Sequence, residues 1–303
     1  MDQMTWTTRW EIWRKVMGAP SSRQRRHVME FLQRRPALLY WGDSWFSTPL
    51  YLNLARQSLL RMDGMAMVVG KPGATASELF GAGHVANMAG RIQAWPFDVL
   101  CLSAGGNDQL SERLAKVFAA WMPPARKPKI DARQAFDVLL GTPSFDVIRA
   151  RYAAVLDAVR SVRRKRPALR VVAHGYAPLQ RIGAKADLTV ANIGLIAWIK
   201  DDVGPWLWRP MQHVLPDLAE GKRFANLLLT QGFRDRVLKP LAQPDAYGDF
   251  FSYADLGSVP GVSNAAFWND EIHPTEAGFA DLAVALNAQV RSVLPAAKQV
   301  AVR

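Results

Sequence analysis

Cysteine is almost absent from this chain of 303 residues, which contains only Cys101. A single cysteine excludes an intrachain disulfide and the zinc patterns that need paired cysteines. Cys101 lies in the apolar run 97–103, so we expect a buried and inert thiol. The five histidines lack the spacing of a HExxH zinc motif, and no GxxxxGKS/T phosphate loop occurs. We therefore expect neither a metal site nor an organic cofactor.

Long uninterrupted apolar runs are missing as well. The first residues, Met1 to Trp6, lead into Arg9, Glu11 and Arg14, which interrupts any stretch resembling a secretory signal or a membrane span. A cytoplasmic protein is therefore the default expectation. Export by a route that needs no cleaved signal stays open, because the absence of one signal does not exclude another route.

Acidic residues are outnumbered by basic ones, 26 against 38, which gives a formal net charge of +12 at pH 7. The basic residues form two clusters, Arg23, Arg25, Arg26, Arg34 and Arg35 near the start and Arg160, Arg163, Arg164, Lys165, Arg166 and Arg170 further on. Such clusters suit anionic partners, including nucleic acid and acidic lipid headgroups. We favour a solvated basic surface, because no nucleic-acid-binding motif accompanies the charge. We expect no specific nucleic acid partner and at most weak contact with an anionic membrane, and the oligomeric state stays open.

Apolar runs of strand length alternate with helical patterns along the chain. The runs are 37–41, 65–69, 97–103, 169–174 and, less clearly, 249–254, and the helical patterns are 50–62, 110–121, 145–166 and 276–293. Strands that are apolar throughout and separated by helices indicate a parallel sheet covered on both faces. The sequence therefore predicts an α/β fold with a mostly parallel, five-stranded sheet.

Two segments stand outside this alternation and leave a main domain over 37–296, followed by a C-terminal tail over 297–303. Residues 1–36 are a basic extension, and we expect a helix that places Trp6, Trp10 and Trp13 on one side. In the favoured interpretation, the tryptophan side of this helix packs on the domain. In the alternative, it inserts into a membrane surface. Residues 177–244 form a tryptophan-rich insertion. We expect helices that cover the site as a lid or line an acyl or leaving-group pocket, with extra scaffold as the alternative.

Four short polar segments lie at or after the ends of the predicted strands. They are Gly42-Asp43-Ser44, the turn 70–75, Gly105-Gly106-Asn107-Asp108 and Asp270-Glu271-Ile272-His273. In an open α/β sheet, ligands bind where the chain leaves the carboxyl ends of the strands. We therefore expect the four segments to converge on one edge of the sheet.

The residue types in these segments are those of serine-nucleophile acyl transfer. Ser44 follows a strand in a turn that can expose its hydroxyl, although an ordinary turn residue is the alternative. His273 follows Asp270 by three residues, and the proline after it keeps it out of a helix. We expect His273 to act as general base and then general acid, while Asp270 fixes its tautomer. His174, at a strand end, is the competing histidine, for which we favour a structural role.

The tetrahedral intermediate of acyl transfer carries a negative oxygen, so the site also needs hydrogen-bond donors. The candidates are the side-chain amide of Asn107 and the backbone amides of Gly73 and Ser44. An ordinary turn is the alternative for Gly73, and an Asx turn is the alternative for Asn107. Neighbouring residues that we expect to support the site are Asp43, Gly106 and Asp108. The GxSxG elbow of ordinary α/β-hydrolases does not occur.

The four segments resemble the blocks of the SGNH, or GDSL, hydrolase superfamily, which is named after one Ser, Gly, Asn and His in successive blocks. The resemblance spans about 37–293 and implies a flavodoxin-like, three-layer α/β/α fold. By this resemblance Ser44 is the nucleophile, Asp270 and His273 complete the triad, and Gly73 and Asn107 are oxyanion donors. The second block departs from the family pattern, because Pro72 precedes the glycine and the opening asparagine is missing. Gly70 is therefore an alternative to Gly73.

Members of this superfamily cleave acetylated sugars, short acyl esters, thioesters and lipids, and the extension and the insertion have no counterpart in the minimal family fold. We therefore expect a carboxylic ester hydrolase that forms an acyl-enzyme on Ser44, with a lipid or other acyl ester as the slightly favoured substrate. A carbohydrate O-acetylesterase and an acyltransferase would use the same residues and stay as alternatives. The least favoured alternative is a non-catalytic module whose basic faces bind nucleic acid or membrane.

Overall fold

A six-stranded sheet runs through the centre of the protein. The computed structural model describes residues 4–8, 22–48, 51–186 and 204–303. The strands are β1 Met4–Thr8, β2 Ala37–Gly42, β3 Met65–Gly70, β4 Val99–Ser103, β5 Arg170–His174 and β6 Phe251–Ala254. Their order is β1-β3-β2-β4-β5-β6; β2 to β6 are parallel, and β1 is antiparallel at the edge.

Helices connect and cover these strands. In chain order they are α1 Ser22–Arg34, α2 Ser44–Ser47, α3 Leu54–Leu60, α4 Ala76–Leu79, α5 Ala82–Ala94, α6 Ser111–Val117, α7 Ala132–Leu140, α8 Ser144–Arg163, α9 Trp208–Met211, α10 Leu218–Leu227, α11 Lys239–Leu241, α12 Glu276–Val293 and α13 Ala296–Gln299. A π-helical stretch, Leu228–Leu238, joins α10 to α11. No helix in the described ranges combines the length and the apolar character that a membrane crossing requires.

The sheet is covered on both faces. Every residue of β2, β3 and β4 is buried, and successive side chains of a strand point to opposite faces. Helix α3 packs against α12, and α5 packs against α8. Right-handed crossovers between the parallel strands place these two helix pairs on opposite faces. The predicted α/β fold, with a parallel sheet between two helical layers, is confirmed.

The order of the strands creates one switch point. The chain runs from β2 to β3 on one side and then returns past β2 to β4 on the other side. Gly42, at the end of β2, pairs with Ser103, at the end of β4. The loops that carry Ser44 and Asn107 therefore leave from neighbouring strand ends, where open α/β sheets bind ligands.

The N-terminal extension differs from the prediction of a helix. Met4–Thr8 is a strand that pairs with β3, so Trp6 lies opposite Val68. The strand supplies partners for the edge of β3, a tertiary requirement that overrides the helical spacing of the aromatic residues. The helix α1 begins only at Ser22. Trp10 and Trp13 lie outside the described residues.

Residues 297–303, expected as a tail, pack on the domain. Val302 is buried and forms a β-bridge with Met62. The backbone amide of Arg303 donates to the carbonyl oxygen of Arg61 at 2.8 Å, and the carbonyl oxygen of Ala301 accepts from the amide of Asp63 at 2.8 Å. This segment is therefore part of the main domain.

The thiol of Cys101 lies in the middle of β4 and is fully buried. Burial raises its pKa well above the ordinary value. The expectation of a buried cysteine is confirmed, and the raised pKa keeps the sulfur in the unreactive thiol form.

Candidate active site

Ser44 lies in the sharp turn that follows β2. Gly42 permits this turn, because a Cβ atom there would lie 2.6 Å from both the Cβ and the carbonyl oxygen of Ser103. Asp43 caps the short helix α2, since its Oδ1 accepts from the backbone amide of Trp45 at 3.0 Å. Ser44 is consequently the first residue of α2, directly beyond the carboxyl end of the central strands.

His273 is held by a tight loop that closes on Asp270. The Oδ1 atom of Asp270 accepts from the backbone amides of Ile272 at 2.9 Å and His273 at 2.7 Å. The imidazole Nδ1 atom lies 3.0 Å from Oδ2 and 3.1 Å from Oδ1 of the same carboxylate. Asp270 therefore orients both the backbone and the ring of His273.

The two loops bring Ser44 and His273 together across 229 positions of sequence, with Ser44 Oγ 3.0 Å from His273 Nε2. Because Nδ1 faces the carboxylate of Asp270, the neutral ring carries its proton on Nδ1 and Nε2 is free to accept from the hydroxyl. The structure thus joins the three predicted residues in one hydrogen-bonded chain.

The electrostatics of the pair favour a charged imidazole. Burial lowers the pKa of His273, but the charge of Asp270 and its hydrogen bond outweigh this effect, so the pKa lies above the ordinary value. Burial raises the pKa of Asp270, but the charge and hydrogen bonds of His273 and the amide of Ile272 bring it below the ordinary value. The site therefore stabilises the imidazolium that forms when His273 takes up a proton.

The loop after β4 brings Asn107 to the same cavity as Ser44. Gly105, the second residue of this loop, has a φ of +108°, a conformation that favours glycine. The Nδ2 atom of Asn107 donates to the carbonyl oxygen of Ala74 at 3.0 Å. A side-chain amide carries two N–H groups, so this bond fixes one of them and orients the other.

Gly73 and its alternative as oxyanion donor, Gly70, lie at different places in the loop after β3 and serve different structural purposes. Gly73 has a φ of +74° in a turn closed by a bond from the amide of Ala74 to the carbonyl oxygen of Lys71. Gly70 is required by packing, because a Cβ atom there would lie 2.1 Å from the carbonyl oxygen of Gly42. Among the described residues that line the cavity, Ser44 and Asn107 are present and neither glycine is.

Tyr176 connects two of the residues that we expected to support the site. Its hydroxyl donates to Oδ2 of Asp43 at 2.7 Å and accepts from the backbone amide of Gly106 at 3.2 Å. Oδ1 of Asp43 also accepts from the hydroxyl of Ser103 at 2.8 Å. Burial raises the pKa of Asp43, and these hydrogen bonds offset only part of the effect. No motif in the sequence points to Tyr176, although its position two residues beyond β5 places it at the correct edge of the sheet.

Asp108 supports the Asn107 loop from the side of β3. Its Oδ2 accepts from the backbone amide of Ala76 at 2.8 Å. Burial raises the pKa of Asp108 to about 6, although that hydrogen bond and the charge of Arg113 oppose the change. Arg113 in turn donates to the carbonyl oxygen of Asn107 at 3.1 Å. The loops after β3 and β4 are therefore linked to each other beside the site.

His174 packs in the core, as expected for a structural histidine. Its buried ring stacks on Trp45 at a centroid distance of 5.5 Å, with 15° between the ring planes. Burial lowers the pKa of His174 to about 4, so the ring is neutral near pH 7. Its Nδ1 atom lies 3.2 Å from the carbonyl oxygen of Gly175, but its buried Nε2 atom has no hydrogen-bond partner among the described residues, so the ring is only partly satisfied.

An apolar cavity opens beside Ser44 and Asn107, with a volume of about 40 Å³. The larger side chains that line it are Trp45, Leu110, Tyr176, Leu179, Leu207, Leu228, Leu229 and Ile272. Four of these leucines, Leu179, Leu207, Leu228 and Leu229, belong to the segment 177–244. A single water needs roughly 10–15 Å³ of such volume, so the cavity has room for about three non-hydrogen atoms.

Glu271, between Asp270 and His273 in sequence, is a second residue that the sequence analysis missed. Its side chain is fully buried and accepts from backbone amides of the segment 177–244, among them that of Leu207 at 2.7 Å. No local pattern reveals this role, because the partners lie more than sixty positions away.

Solved structures with the same fold include a lipase, Lip_vut3, from a goat rumen metagenome, at a TM-score of 0.51 and 12% identity over 85% of this chain and 97% of that chain. An extracellular lipase of Streptomyces rimosus aligns at 0.47 and 15% identity, covering 84% and 99%. A carbohydrate esterase family 3 protein of Talaromyces cellulolyticus aligns at 0.41 and 13% identity, covering 85% and 97%. No family model matches this chain, and no curated protein matches it. The likeness to Lip_vut3 confirms the α/β fold that the resemblance implied.

Proposed function

We propose that this protein is a serine hydrolase of carboxylic esters. The observation that supports this most directly is the chain of hydrogen bonds from Ser44 through His273 to Asp270, with 3.0 Å between Oγ and Nε2 and 3.0 Å between Nδ1 and Oδ2. A nucleophile, a base and a carboxylate that orients the base are the three parts that activate a serine. They meet at the switch point of the sheet, where this class of fold binds its ligands.

In the first half of the reaction, Ser44 Oγ attacks the carbonyl carbon of the ester while His273 Nε2 takes the hydroxyl proton. A C–O bond forms, and the electron pair of the carbonyl double bond moves onto the carbonyl oxygen. When the carbonyl re-forms, the bond to the alcohol oxygen breaks and His273 gives that oxygen its proton. The products are an alcohol and an acyl-enzyme on Ser44.

In the second half, water replaces the alcohol. His273 takes a proton from water as the water oxygen attacks the acyl carbon, and Ser44 Oγ then leaves with that proton. The reaction releases a carboxylic acid and restores the enzyme. If an acceptor alcohol enters in place of water, the same steps describe an acyltransferase, so analysis of the products separates these two outcomes.

The negative oxygen of each tetrahedral intermediate needs donors that are already in place. We assign the second N–H of the Asn107 side chain and the backbone amide of Ser44, which lies in the first turn of α2, where amides have no intrahelical acceptor. Gly73, the third expected donor, is not among the described residues that line the cavity. The assignment therefore depends on Asn107 and Ser44.

The cavity supports an acyl group that is apolar and short. Its lining beside Ser44 is dominated by leucines and aromatic side chains, which suit a hydrocarbon. Its volume of about 40 Å³ fits an acetyl group, with three non-hydrogen atoms, better than a long lipid chain. The second candidate, a carbohydrate O-acetylesterase, draws on the same observation, because an acetyl group is the smallest that the cavity would hold.

The basic clusters give less support to a binding module. The guanidinium group of Arg166 donates to the carbonyl oxygens of Trp95 at 2.5 Å and Phe97 at 2.6 Å. Arg163 donates to the carbonyl oxygen of Leu169 at 2.5 Å. These cations hold the end of α8 against the starts of β4 and β5, which is a structural role.

The decisive experiment is labelling with a fluorophosphonate, which reacts with an activated serine whatever the natural substrate is. We expect modification of the peptide that carries Ser44, loss of labelling in Ser44→Ala, and full labelling in Ser258→Ala, an exposed serine that serves as the control. Turnover of acetyl, butyryl and octanoyl esters and of an O-acetylated sugar then identifies the substrate class. Labelling at another residue, or none in the folded protein, would contradict the proposal.

A further inference from the structure

We propose that the segment Trp206–Trp208, fixed in place by the buried carboxylate of Glu271, is the wall that sets the acyl length accepted at this site. The inference deepens the proposed function and rests on it, since it assigns a specificity role to residues around the same serine. Leu207 is the side chain of this segment that reaches the cavity.

Glu271 binds the backbone of the segment directly. Oε2 accepts from the amide of Leu207 at 2.7 Å, and Oε1 accepts from the amides of Trp208 at 2.9 Å and Gly183 at 3.0 Å. A carboxylate that is 0% exposed loses its hydration, and this arrangement replaces water with backbone donors. The bonds join both flanks of 187–203 to the loop that carries His273.

The other side of the segment is bound to the loop that carries Asn107. The carbonyl oxygen of Trp206 accepts from the backbone amide of Ser111 at 2.7 Å. Ser111 begins α6, four residues after Asn107, and has a φ of +48°. The segment therefore spans from the base loop to the oxyanion loop and is hydrogen-bonded at both ends.

The side chains of the segment meet the two parts of the site that an acyl ester would touch. The ring of Trp206 approaches the imidazole of His273 edge-on, with 5.7 Å between centroids. Leu207 is 0% exposed and lines the same cavity as Ser44 and Ile272. A wall bound at both ends cannot easily move away from a longer acyl chain, so it limits the chain length.

Two substitutions separate the wall from the residue that holds it. Leu207→Ala shortens the wall but keeps the backbone amide that donates to Glu271. Glu271→Gln keeps the shape of the side chain but turns an N–H group towards backbone N–H groups, which loosens the segment. The matched control is Glu220→Gln, because Glu220 also accepts from a backbone amide, that of Ala132 at 2.7 Å, but Ala132 does not line the cavity as Leu207 does.

The measurement is the ratio of kcat/KM for an octanoyl ester to kcat/KM for an acetyl ester of the same alcohol. We expect Leu207→Ala to raise this ratio about 10-fold or more, since a single methylene group in an apolar pocket typically changes selectivity by roughly 10–200-fold. Glu271→Gln should raise it in the same direction, and Glu220→Gln should leave it unchanged even if its melting temperature falls.

An unchanged ratio in Leu207→Ala would contradict the proposal that Leu207 limits the acyl length. An unchanged ratio in folded Glu271→Gln would contradict the proposal that Glu271 holds the segment in place. If Glu271→Gln does not fold, Leu207→Ala alone decides the proposal. Ser44→Ala, assayed in parallel, should turn over neither ester. Turnover by Ser44→Ala would reject the proposed function itself, whatever the ratios show.

Discussion

The hydroxyl of Tyr176 lies 2.7 Å from Oδ2 of Asp43 and joins the loop that carries Ser44 to the loop that carries Asn107, since it also accepts from the amide of Gly106. Three strand ends contribute to this contact, with Asp43 after β2, Gly106 after β4 and Tyr176 after β5. The ring of Tyr176 lies so close to Gly106 that a Cβ atom there would be 3.0 Å from its Cζ atom. Tyr176 is therefore placed to fix the position of Ser44 relative to Asn107.

Tyr176→Phe removes the hydroxyl and keeps the ring. We expect kcat to fall on the order of 10-fold with KM nearly unchanged, because a hydrogen bond to a charged acceptor contributes about 1.5–3 kcal/mol and this one positions donors that act in the transition state. Steady-state kinetics on a butyryl ester provide the measurement.

The matched control is Tyr247→Phe, whose hydroxyl donates to Oδ1 of Asp157 at 2.9 Å in an exposed pair. That variant should keep both kinetic constants. If Tyr176→Phe changes KM alone, or changes the two constants no more than Tyr247→Phe does, the positioning role is wrong.

Asn107→Ala tests the oxyanion assignment. Loss of one preorganised donor costs roughly 10²–10³ in kcat, so we expect a loss of that size with little change in KM. Asn107 also holds the carbonyl oxygen of Ala74, so its melting temperature is measured alongside. A folded Asn107→Ala variant with normal kcat would show that the negative oxygen is bound elsewhere.

Asp270→Asn tests the electrostatics of the base. His273 must be neutral to accept a proton, so kcat/KM should fall as the pH drops through the pKa of His273, which Asp270 and its hydrogen bond raise. Without the carboxylate that pKa should fall, so the acid limb of the residual activity moves to lower pH. The maximal rate should drop about 10³–10⁴-fold, because the ring is no longer held in the tautomer that leaves Nε2 free.

The pH–rate profiles of both proteins provide this measurement. An acid limb that moves to higher pH in Asp270→Asn, or that stays in place, would contradict the coupling of the two side chains. Ser44→Ala gives the background rate that is subtracted from both profiles.

Gly42→Ala tests the close turn beneath the nucleophile. Its new methyl group would lie 2.6 Å from backbone and side-chain atoms of Ser103, so we expect a destabilisation of about 1–3 kcal/mol by overpacking. Gly90→Ala is the control, since Gly90 lies inside α5 with nothing within 4 Å of the added atom. It should stabilise the protein by about 0.5–1 kcal/mol. Urea unfolding of both variants measures the change in the free energy of unfolding, which should be a decrease for Gly42→Ala and an increase for Gly90→Ala. Equal changes in the two variants would contradict the packing argument.

Local patterns were enough to predict the parallel strands and the residues at their ends. The apolar runs at 37–41 and 65–69 became β2 and β3 with one residue added to each, and the helical pattern 276–293 became α12 with both bounds unchanged. Ser44, Asp270 and His273 were predictable because each lies in a short polar segment that the strand order brings to one edge. The residue types within each segment, such as Asp270 three positions before His273, can be read directly from the sequence.

The missed elements depend on partners that are far away in sequence. Tyr176 and Glu271 act through long-range contacts, such as those with Asp43 and Leu207, and no motif in the sequence indicates these contacts. The strand Met4–Thr8 forms because the edge of β3 offers hydrogen-bonding groups, a requirement that aromatic spacing in the extension does not show. Contacts between residues that are distant in sequence therefore determine these features, which local sequence preferences do not specify.

Cys101, the only thiol of the chain, is enclosed in the middle of β4. Maleimides and other thiol reagents should therefore find nothing to alkylate in the folded protein. A cysteine introduced at an exposed position, such as Leu60 at 68% exposure, would be the one site that takes a fluorophore or a spin label. Spectroscopic studies of substrate binding can thus start from the native sequence with no prior cysteine replacement.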